Sequence, residues 1–210
     1  MQIEPYRREH RDAVIQLSVR AWTPVFAALR SAVPDYVYDS FWPQGWEVRQ
    51  RSDVAAILDT DPETVYVAVD GPVVLGWMAV RLHPVDDMGE VAILAVDPAH
   101  QRRGTARALL DHACDIVRAA GMRMVMVETG DDPGHAASRA TYEAVGFDRW
   151  PVARYFKDLA EEAEGAQSSK ASGGGQEQTR LRSPYAPSMR ATGGQYFSAG
   201  ETPSGKAASF

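Results

Sequence analysis

Two arginines and a glycine lie together in the middle of the chain, between an apolar stretch that ends at Val96 and a helical pattern. The first N–H groups of a helix have no intrahelical partner, and the helix dipole places partial positive charge there. Gly104 and Ala106 carry little bulk, so a ligand can approach the main chain closely, while Arg102 and Arg103 add fixed positive charge. This arrangement favours a phosphate-bearing cofactor.

The motif in this segment is neither GxxxxGK[ST] nor GxGxxG, the two best-known phosphate-binding loops. It reads Gln101-x-x-Gly104-x-Ala106, which resembles the pyrophosphate loop Q/R-x-x-G-x-G/A of the GNAT N-acetyltransferase superfamily. Two further stretches carry the resemblance. Residues 90–96 look like the family's fourth strand, and residues 135–147 look like its late helix with a YexxGF ending.

The resemblance implies how acetyl-CoA, the family's co-substrate, would be held. Main-chain groups of Leu94, Ala95 and Val96 would pair with the pantetheine arm like an added strand, and a backbone N–H near Leu94 would polarise the thioester oxygen. Ala106 replaces the commoner second glycine, and His135 stands where many members have Asn. The implied cofactor contacts are Leu94, Ala95, Val96, Gln101, Arg102, Arg103, Gly104, Thr105, Ala106, Arg107, His135 and Tyr142.

Acetyl transfer to an amine also needs a base for the acceptor and a proton for the departing thiolate. By resemblance, Glu90 occupies a position where some family members carry their base. Glu128 matches the proton acceptor of N-terminal protein acetyltransferases in the superfamily. Tyr142 lies at the family's tyrosine position, near the expected thiol sulfur, where a phenol would donate to the thiolate. The base stays open between Glu90, Glu128 and water, because either glutamate can also be a surface carboxylate at a strand end.

Aromatic and acidic residues occupy the segments that frame the acceptor in this family. Phe26, Tyr38, Trp42 and Asp86 suit a cationic amine through cation–π and charge contacts, although the same residues can be core and solvated loop. We therefore expect an acetyl-CoA-dependent N-acetyltransferase that acts by direct transfer in a ternary complex. The expected acceptor is a primary amine of a small cationic metabolite or antibiotic. The alternatives are a protein or peptide N-terminal acetyltransferase and a non-catalytic acyl-CoA-binding sensor.

The resemblance implies an α/β fold with a central mixed sheet of about six or seven strands, in which strands four and five splay apart, flanked by about four helices. Hydrophobic periodicity agrees with this fold, since short apolar runs alternate with helical patterns. The segment 23–60 is predicted to be irregular, with short helical pieces. The predicted strands are 1–6, 64–70, 73–82, 90–96, 122–128, 147–150 and 152–157, and the predicted helices are 9–22, 104–120 and 134–145.

Composition limits the partners and the compartment. A formal net charge of −6 argues against nucleic-acid binding by bulk charge. The single cysteine, Cys114, cannot form a disulfide within the chain, which fits a reducing compartment. The five histidines show no ligand spacing, so we expect no metal. Because no apolar stretch suits a membrane span and no secretory signal is visible, we expect a cytoplasmic protein without a membrane partner. The resemblance also allows a homodimer.

The chain is predicted to divide into an acetyltransferase domain at 1–159 and a low-complexity, disordered tail at 160–210. The tail is rich in Gly, Ser, Ala, Gln and Pro, and its few aliphatic residues cannot offset the entropy of ordering it. Its aromatic residues are candidate contact points for a partner, and a solvated tail without a partner is the alternative. They are Tyr185, Tyr196, Phe197 and Phe210.

Overall fold

A five-stranded mixed sheet forms the centre of the computed structural model, which describes residues 1–160. The strands are β1 (Gln2–Pro5), β2 (Val65–Asp70), β3 (Val73–His83), β4 (Met88–Val96) and β5 (Met124–Val127). The α-helices are α1 (Arg11–Leu29), α2 (Asp35–Phe41), α3 (Trp46–Thr60), α4 (Thr105–Ala119) and α5 (Ala136–Ala144). The strands lie side by side in chain order. Neighbouring strands are antiparallel, except that β4 and β5 are parallel.

Helices cover both faces of this sheet, and each face has its own core. On one face, α1 and α3 pack against Trp77 and Ile93. On the other face, α4 and α5 pack against Met78 and Val91. Successive strand residues point to opposite faces, which explains why Trp77 and Met78 belong to different cores. The mixed α/β fold predicted from the sequence is confirmed. No helix within residues 1–160 is long and apolar enough to cross a bilayer.

Two local features attach the helices closely to the sheet. The buried indole N–H of Trp77 donates to Oγ of Ser18 at 2.8 Å, and this hydroxyl donates to the carbonyl of Val14 at 2.7 Å, so that α1 is joined to β3 without an unpaired donor. On the other face, any side chain at Gly89 would collide with Val117 of α4. Glycine at this position therefore lets α4 approach the strand that carries the candidate base.

The segment 23–60 is more helical than the sequence predicts. Helix α1 continues through Pro24 to Leu29, and two further helices follow it. Pro34 and Gly45 lie at the N-cap positions of α2 and α3, so they begin these helices. Aromatic residues of this segment fill the core beside α1, among them Phe26, Trp42 and Trp46.

The strands predicted at 147–150 and 152–157 do not form in the structure, so the sheet has five strands where six or seven were predicted. Large apolar side chains in this segment remain in solvent, with Trp150 86% and Tyr155 89% exposed. The segment is attached to the domain by ion pairs, from Arg149 to Asp131 and from Arg154 to Glu128. Strand β5, only four residues long, has no second strand partner among the described residues. The predicted tail lies, from residue 161 onward, outside the described residues.

Candidate active site

Strands β4 and β5 separate in the middle of β4. Their parallel pairing runs from Met88–Met124 to Val91–Val127 and then stops. On its other side, β4 stays paired with β3 as far as Val96. The edge of β4 beyond Val91 is therefore open on the side of β5. Main-chain N–H and C=O groups along such an edge can pair with an extended ligand as they would with another strand.

A β-bulge lies at the point where the strands separate. Ala79 of β3 faces Ile93, whereas the next residue, Val80, faces Val91, so Ala92 is an extra residue in β4. A bulge bends the strand and increases its local twist. This bend follows directly after Glu90 and re-aims the backbone that leads to the candidate anion loop.

The loop between β4 and α4 is fastened to the rest of the domain by side chains. Asp97 accepts from the backbone N–H of Ala99 at 2.9 Å and pairs with Arg20 of α1. Burial raises the pKa of Asp97, but the hydrogen bonds from Arg20 and Ala99 outweigh burial and hold that pKa below its ordinary value. Gln101, predicted as a cofactor contact, donates from Nε2 to the carbonyl of Val96 at 3.2 Å. These contacts fix the loop before any ligand arrives.

The N-terminus of α4 faces open space, as an anion site requires. Gly104 is the N-cap residue, with a left-handed φ of 85°, and a Cβ built there would meet nothing within 4 Å. Arg102 also has a positive φ, 57°, and the side chains of Arg102 and Arg103 are exposed. Thr105 is buried. The loop therefore combines an open helix N-terminus with two exposed cations.

Glu90 is almost completely buried, with 3% of its surface exposed. Because its neighbour Val91 belongs to the core beneath α4, strand alternation places Glu90 on the face of α1 and α3. Its Oε2 lies 2.7 Å from Nε2 of His83, the last residue of β3. Its Oε1 is buried and has no hydrogen-bond partner within residues 1–160. An unpaired buried carboxylate oxygen is costly, which marks Glu90 as a functional candidate.

Glu128 follows β5 directly and shares the face of Glu90. Glu90 pairs with Met126, and Glu128 is two residues further along the same strand direction. Its Oε1 lies 3.4 Å from a guanidinium nitrogen of Arg154. Burial raises the pKa of Glu128, Arg154 lowers it and the nearby charge of Glu90 raises it, which leaves the pKa above its ordinary value. Two carboxylates thus meet where the strands separate.

Tyr142 of α5 approaches the separated strands from the opposite face. Its side chain is nine-tenths buried in the core beneath α4 and α5, and its ring centroid lies 6.1 Å from that of Phe147. Burial raises the pKa of Tyr142 to about 12, so the phenol keeps its proton at neutral pH. The two glutamates and Tyr142 therefore lie on opposite faces of the sheet.

Sequence patterns do not reveal two histidine–carboxylate pairs in this region. One is His83–Glu90, which forms across the β3–β4 ladder. The other is Asp132–His135 in the turn before α5, where Nδ1 lies 2.6 Å from a carboxylate oxygen and both side chains are about nine-tenths buried. Arg139 donates to two carbonyls of the same turn and makes it rigid. One nitrogen of His135, a predicted cofactor contact, is thus bound to Asp132.

The aromatic residues predicted to bind the acceptor contact one another. Phe26 is buried in the core, and Trp42 packs against it edge-on with centroids 5.1 Å apart. The ring of Tyr38 lies against Trp42 and beneath the guanidinium of Arg30, at 4.6 Å from its centroid. One face of Tyr38 is therefore already covered by a cation. Asp86 lies exposed in the turn between β3 and β4.

The described residues offer acid–base groups and no metal centre. Within residues 1–160, no three His, Cys, Asp or Glu side chains are grouped so that they could hold a metal ion. Cys114 of α4 is half-buried, and burial raises the pKa of its thiol. The described residues thus bring together two carboxylates, an open strand edge and a helix N-terminus.

Comparison with known sequences gives one family. The model of the acetyltransferase (GNAT) family matches residues 34–147. The mycothiol acetyltransferase of Geodermatophilus obscurus is 35% identical over 97 residues, which are 44% of this chain and 31% of that protein. The chain thus spans about a third of the length of the curated relatives that it matches.

Comparison with solved structures gives the same fold. The PaiA N-acetyltransferase of Thermoplasma acidophilum, solved in complex with coenzyme A, has a TM-score of 0.53 and 12% identity, over 72% of this chain and 92% of that one. An aminoglycoside 6'-N-acetyltransferase of Acinetobacter haemolyticus has a TM-score of 0.52 and 16% identity, over 75% of this chain and 98% of that one. At these identities the likeness shows the shared fold.

Proposed function

The chain belongs to the GNAT acetyltransferase family, and we propose that it transfers the acetyl group of acetyl-CoA directly to a primary amine in a ternary complex. The observation that carries this proposal is the gap between β4 and β5. The open edge of β4 leads to the anion loop at one end, and Glu90 and Glu128 lie at the other. Acetyl-CoA suits this order of sites, because a long arm separates its pyrophosphate from its thioester.

The chain's backbone would hold the co-substrate. The open edge at 92–96 would pair with the pantetheine arm, and the N–H groups at 104–107, with Arg102 and Arg103, would hold the pyrophosphate. A main-chain N–H near Leu94 would polarise the thioester carbonyl. The solved relative with coenzyme A supports this choice of co-substrate.

The carboxylates would prepare the acceptor. An amine attacks only when neutral, so its ammonium must lose a proton to the enzyme or to water. Glu90 would supply the negative charge that draws this proton, with Glu128 as the alternative. Tyr142, on the opposite face, would donate a hydrogen bond to the thiolate as it departs.

We propose a small cationic amine as the acceptor. Glu90, Glu128 and the exposed Asp86 give this end of the sheet a negative charge, which favours a cation. The curated relatives are named for mycothiol and not for a protein, which supports a small molecule. A peptide N-terminus is the second candidate, because Glu128 is partly exposed and directly follows β5, at the position that the resemblance implies for such enzymes.

Turnover with an amine panel tests the proposal. Acetyl-CoA is offered with a polyamine, an aminoglycoside and a peptide that begins with alanine, and thiol release and the mass of the product are measured. We expect one N-acetylated product, with the small amines preferred. Acetylation of the peptide alone would favour the second candidate, and acetyl-CoA binding without any product would identify a sensor.

A further inference from the structure

The burial of Glu90 raises a question about how a proton reaches it. Its Oε1 is inaccessible to solvent and its Oε2 is bound to His83. No oxygen of this carboxylate is therefore placed to touch an acceptor from the open side of the site. A base that serves every turnover must also release its proton to solvent, which a group with 3% exposure does poorly.

His83 has the exposure that Glu90 lacks. It is the last residue of β3, and 36% of its side chain is accessible. His83 and Glu90 share a face of the sheet, since His83 pairs with Met88 and Glu90 is two residues further along β4. The 2.7 Å contact between Nε2 and Oε2 is an ordinary distance for a charge-assisted hydrogen bond. Nδ1 makes no hydrogen bond within the described part of the chain.

The contact sets the tautomer when Glu90 is ionised. An ionised carboxylate only accepts hydrogen bonds, so the proton in the contact then belongs to Nε2 of His83. A neutral imidazole with its proton on Nε2 has its basic lone pair on Nδ1. The carboxylate thus orients the ring, and its charge stabilises the imidazolium that forms when Nδ1 takes a proton.

We propose that His83 is the base that accepts the amine's proton, and that Glu90 is the buried carboxylate that orients the ring and stabilises its positive charge. The proposal deepens the acetyl transfer proposed above and rests on it. An N–H bond of the ammonium breaks and an N–H bond at Nδ1 forms, directly or through one water. The imidazolium then loses that proton to solvent, and Glu90 stays ionised throughout.

The other charged groups around His83 are consistent with this role. Arg81, on the same face of β3, lies 3.6 Å from Asp61 at the end of α3, so its charge is partly balanced. Asp86 lies exposed in the turn that follows His83, and Glu128 follows β5 on the same face. Glu128 is itself paired with Arg154, so its charge is also partly balanced.

A pair of substitutions separates the base from its support. His83→Gln keeps an N–H that can donate to Glu90 but has no basic lone pair. We expect kcat at pH 7 to fall about 10²-fold, with the KM for acetyl-CoA and the melting temperature unchanged, and the loss to shrink towards pH 9.5 as more amine arrives neutral. Added imidazole should restore part of the activity of His83→Ala in proportion to its concentration. His112→Gln, on α4 outside the site, is the matched control.

The tautomer gives a readout that does not depend on activity. Nitrogen NMR of the ligand-free protein should show His83 with its proton on Nε2 and a free Nδ1. The opposite tautomer would overturn the proposal, and so would full activity of His83→Gln alongside an impaired Glu90→Gln. If the unaltered protein acetylates no amine, the proposed function is contradicted. The His83–Glu90 pair is tested separately, because the tautomer of His83 can still be measured.

Discussion

At the scale of single residues, burial changes what Tyr142 can do. Its pKa is raised to about 12, whereas a free thiol has a pKa of about 8.5. Full proton transfer from the phenol to a thiolate would therefore be uphill by roughly 5 kcal/mol, at about 1.4 kcal/mol for each pKa unit. A hydrogen bond to the departing sulfur has no such cost. We therefore propose that Tyr142 stabilises the leaving group by a hydrogen bond and keeps its proton.

Tyr142→Phe tests this role. The substitution keeps the packed ring and removes only the hydroxyl, so kcat should fall about 10-fold, the value of one hydrogen bond to a charged group. Affinity for acetyl-CoA should change little, because the thioester form makes no thiolate. Steady-state kinetics and calorimetric titration measure the two quantities, with Tyr66→Phe on β2 as the control. An unchanged kcat would show that Tyr142 only packs.

From the sequence, candidate site residues can be proposed where a local signal exists. Gln101 and Gly104 are proposed from the spacing of a loop motif, and Glu90 from the resemblance of its strand to the family's fourth strand. His83 carries no such signal, since its contact with Glu90 depends on the register of a β-hairpin. Extension of the predicted strand 73–82 by one residue would have suggested it. Asp132 is missed for a similar reason, because its contact with His135 depends on the conformation of a turn.

At the scale of elements, the N-terminus of α4 decides whether the cofactor's phosphates can approach. Gly104 is needed there for two separable reasons: its left-handed φ of 85°, and the open space where a Cβ would lie. Most side chains disturb both at once, because a positive φ strains them. Asparagine tolerates left-handed backbone better than other residues, so it adds a side chain with little strain.

Gly104→Asn should therefore weaken acetyl-CoA binding while the melting temperature stays close to that of the unaltered protein. Gly104→Val should lower both the affinity for acetyl-CoA and the melting temperature, because a β-branched residue is strained at this φ. Arg102→Ala should weaken binding less and flatten its salt dependence, since it removes a screened surface charge. Calorimetric titration at two ionic strengths gives the affinities. Undiminished affinity of Gly104→Asn for acetyl-CoA would contradict the assignment of the pyrophosphate to this loop.

Elements with strong periodicity are predictable here, and elements that depend on distant partners are not. The hairpin of β2 and β3 and the helix α4 follow from alternation, a turn dipeptide and an amphipathic pattern. Helices α2 and α3 were predicted only as short helical pieces of an irregular segment, because Pro24, Pro34 and Pro43 interrupt it. The segment 147–157 has a strand-like sequence, but a strand needs a ladder partner, and the described residues provide none.

At the scale of the whole molecule, the family fold explains why these groups meet at all. Parallel strands can separate without loss of the rest of the sheet, because β3 still pairs with β4 along its full length. The gap that results joins an anion loop to two carboxylates on one face and a tyrosine on the other. The domain boundary at 159 stays a prediction, because the predicted tail lies outside the described residues apart from Ala160.

The pH dependence of kcat for Glu90→Gln beside Glu128→Gln tests the central claim most directly, with a small amine that the protein accepts. Both changes keep the shape of the side chain and remove its charge. The account predicts that Glu90→Gln lowers kcat strongly at pH 6–7 and progressively less towards pH 9.5, with acetyl-CoA affinity retained, while Glu128→Gln has the smaller effect. Normal turnover of Glu90→Gln at pH 6, together with loss of turnover in Glu128→Gln, would contradict it.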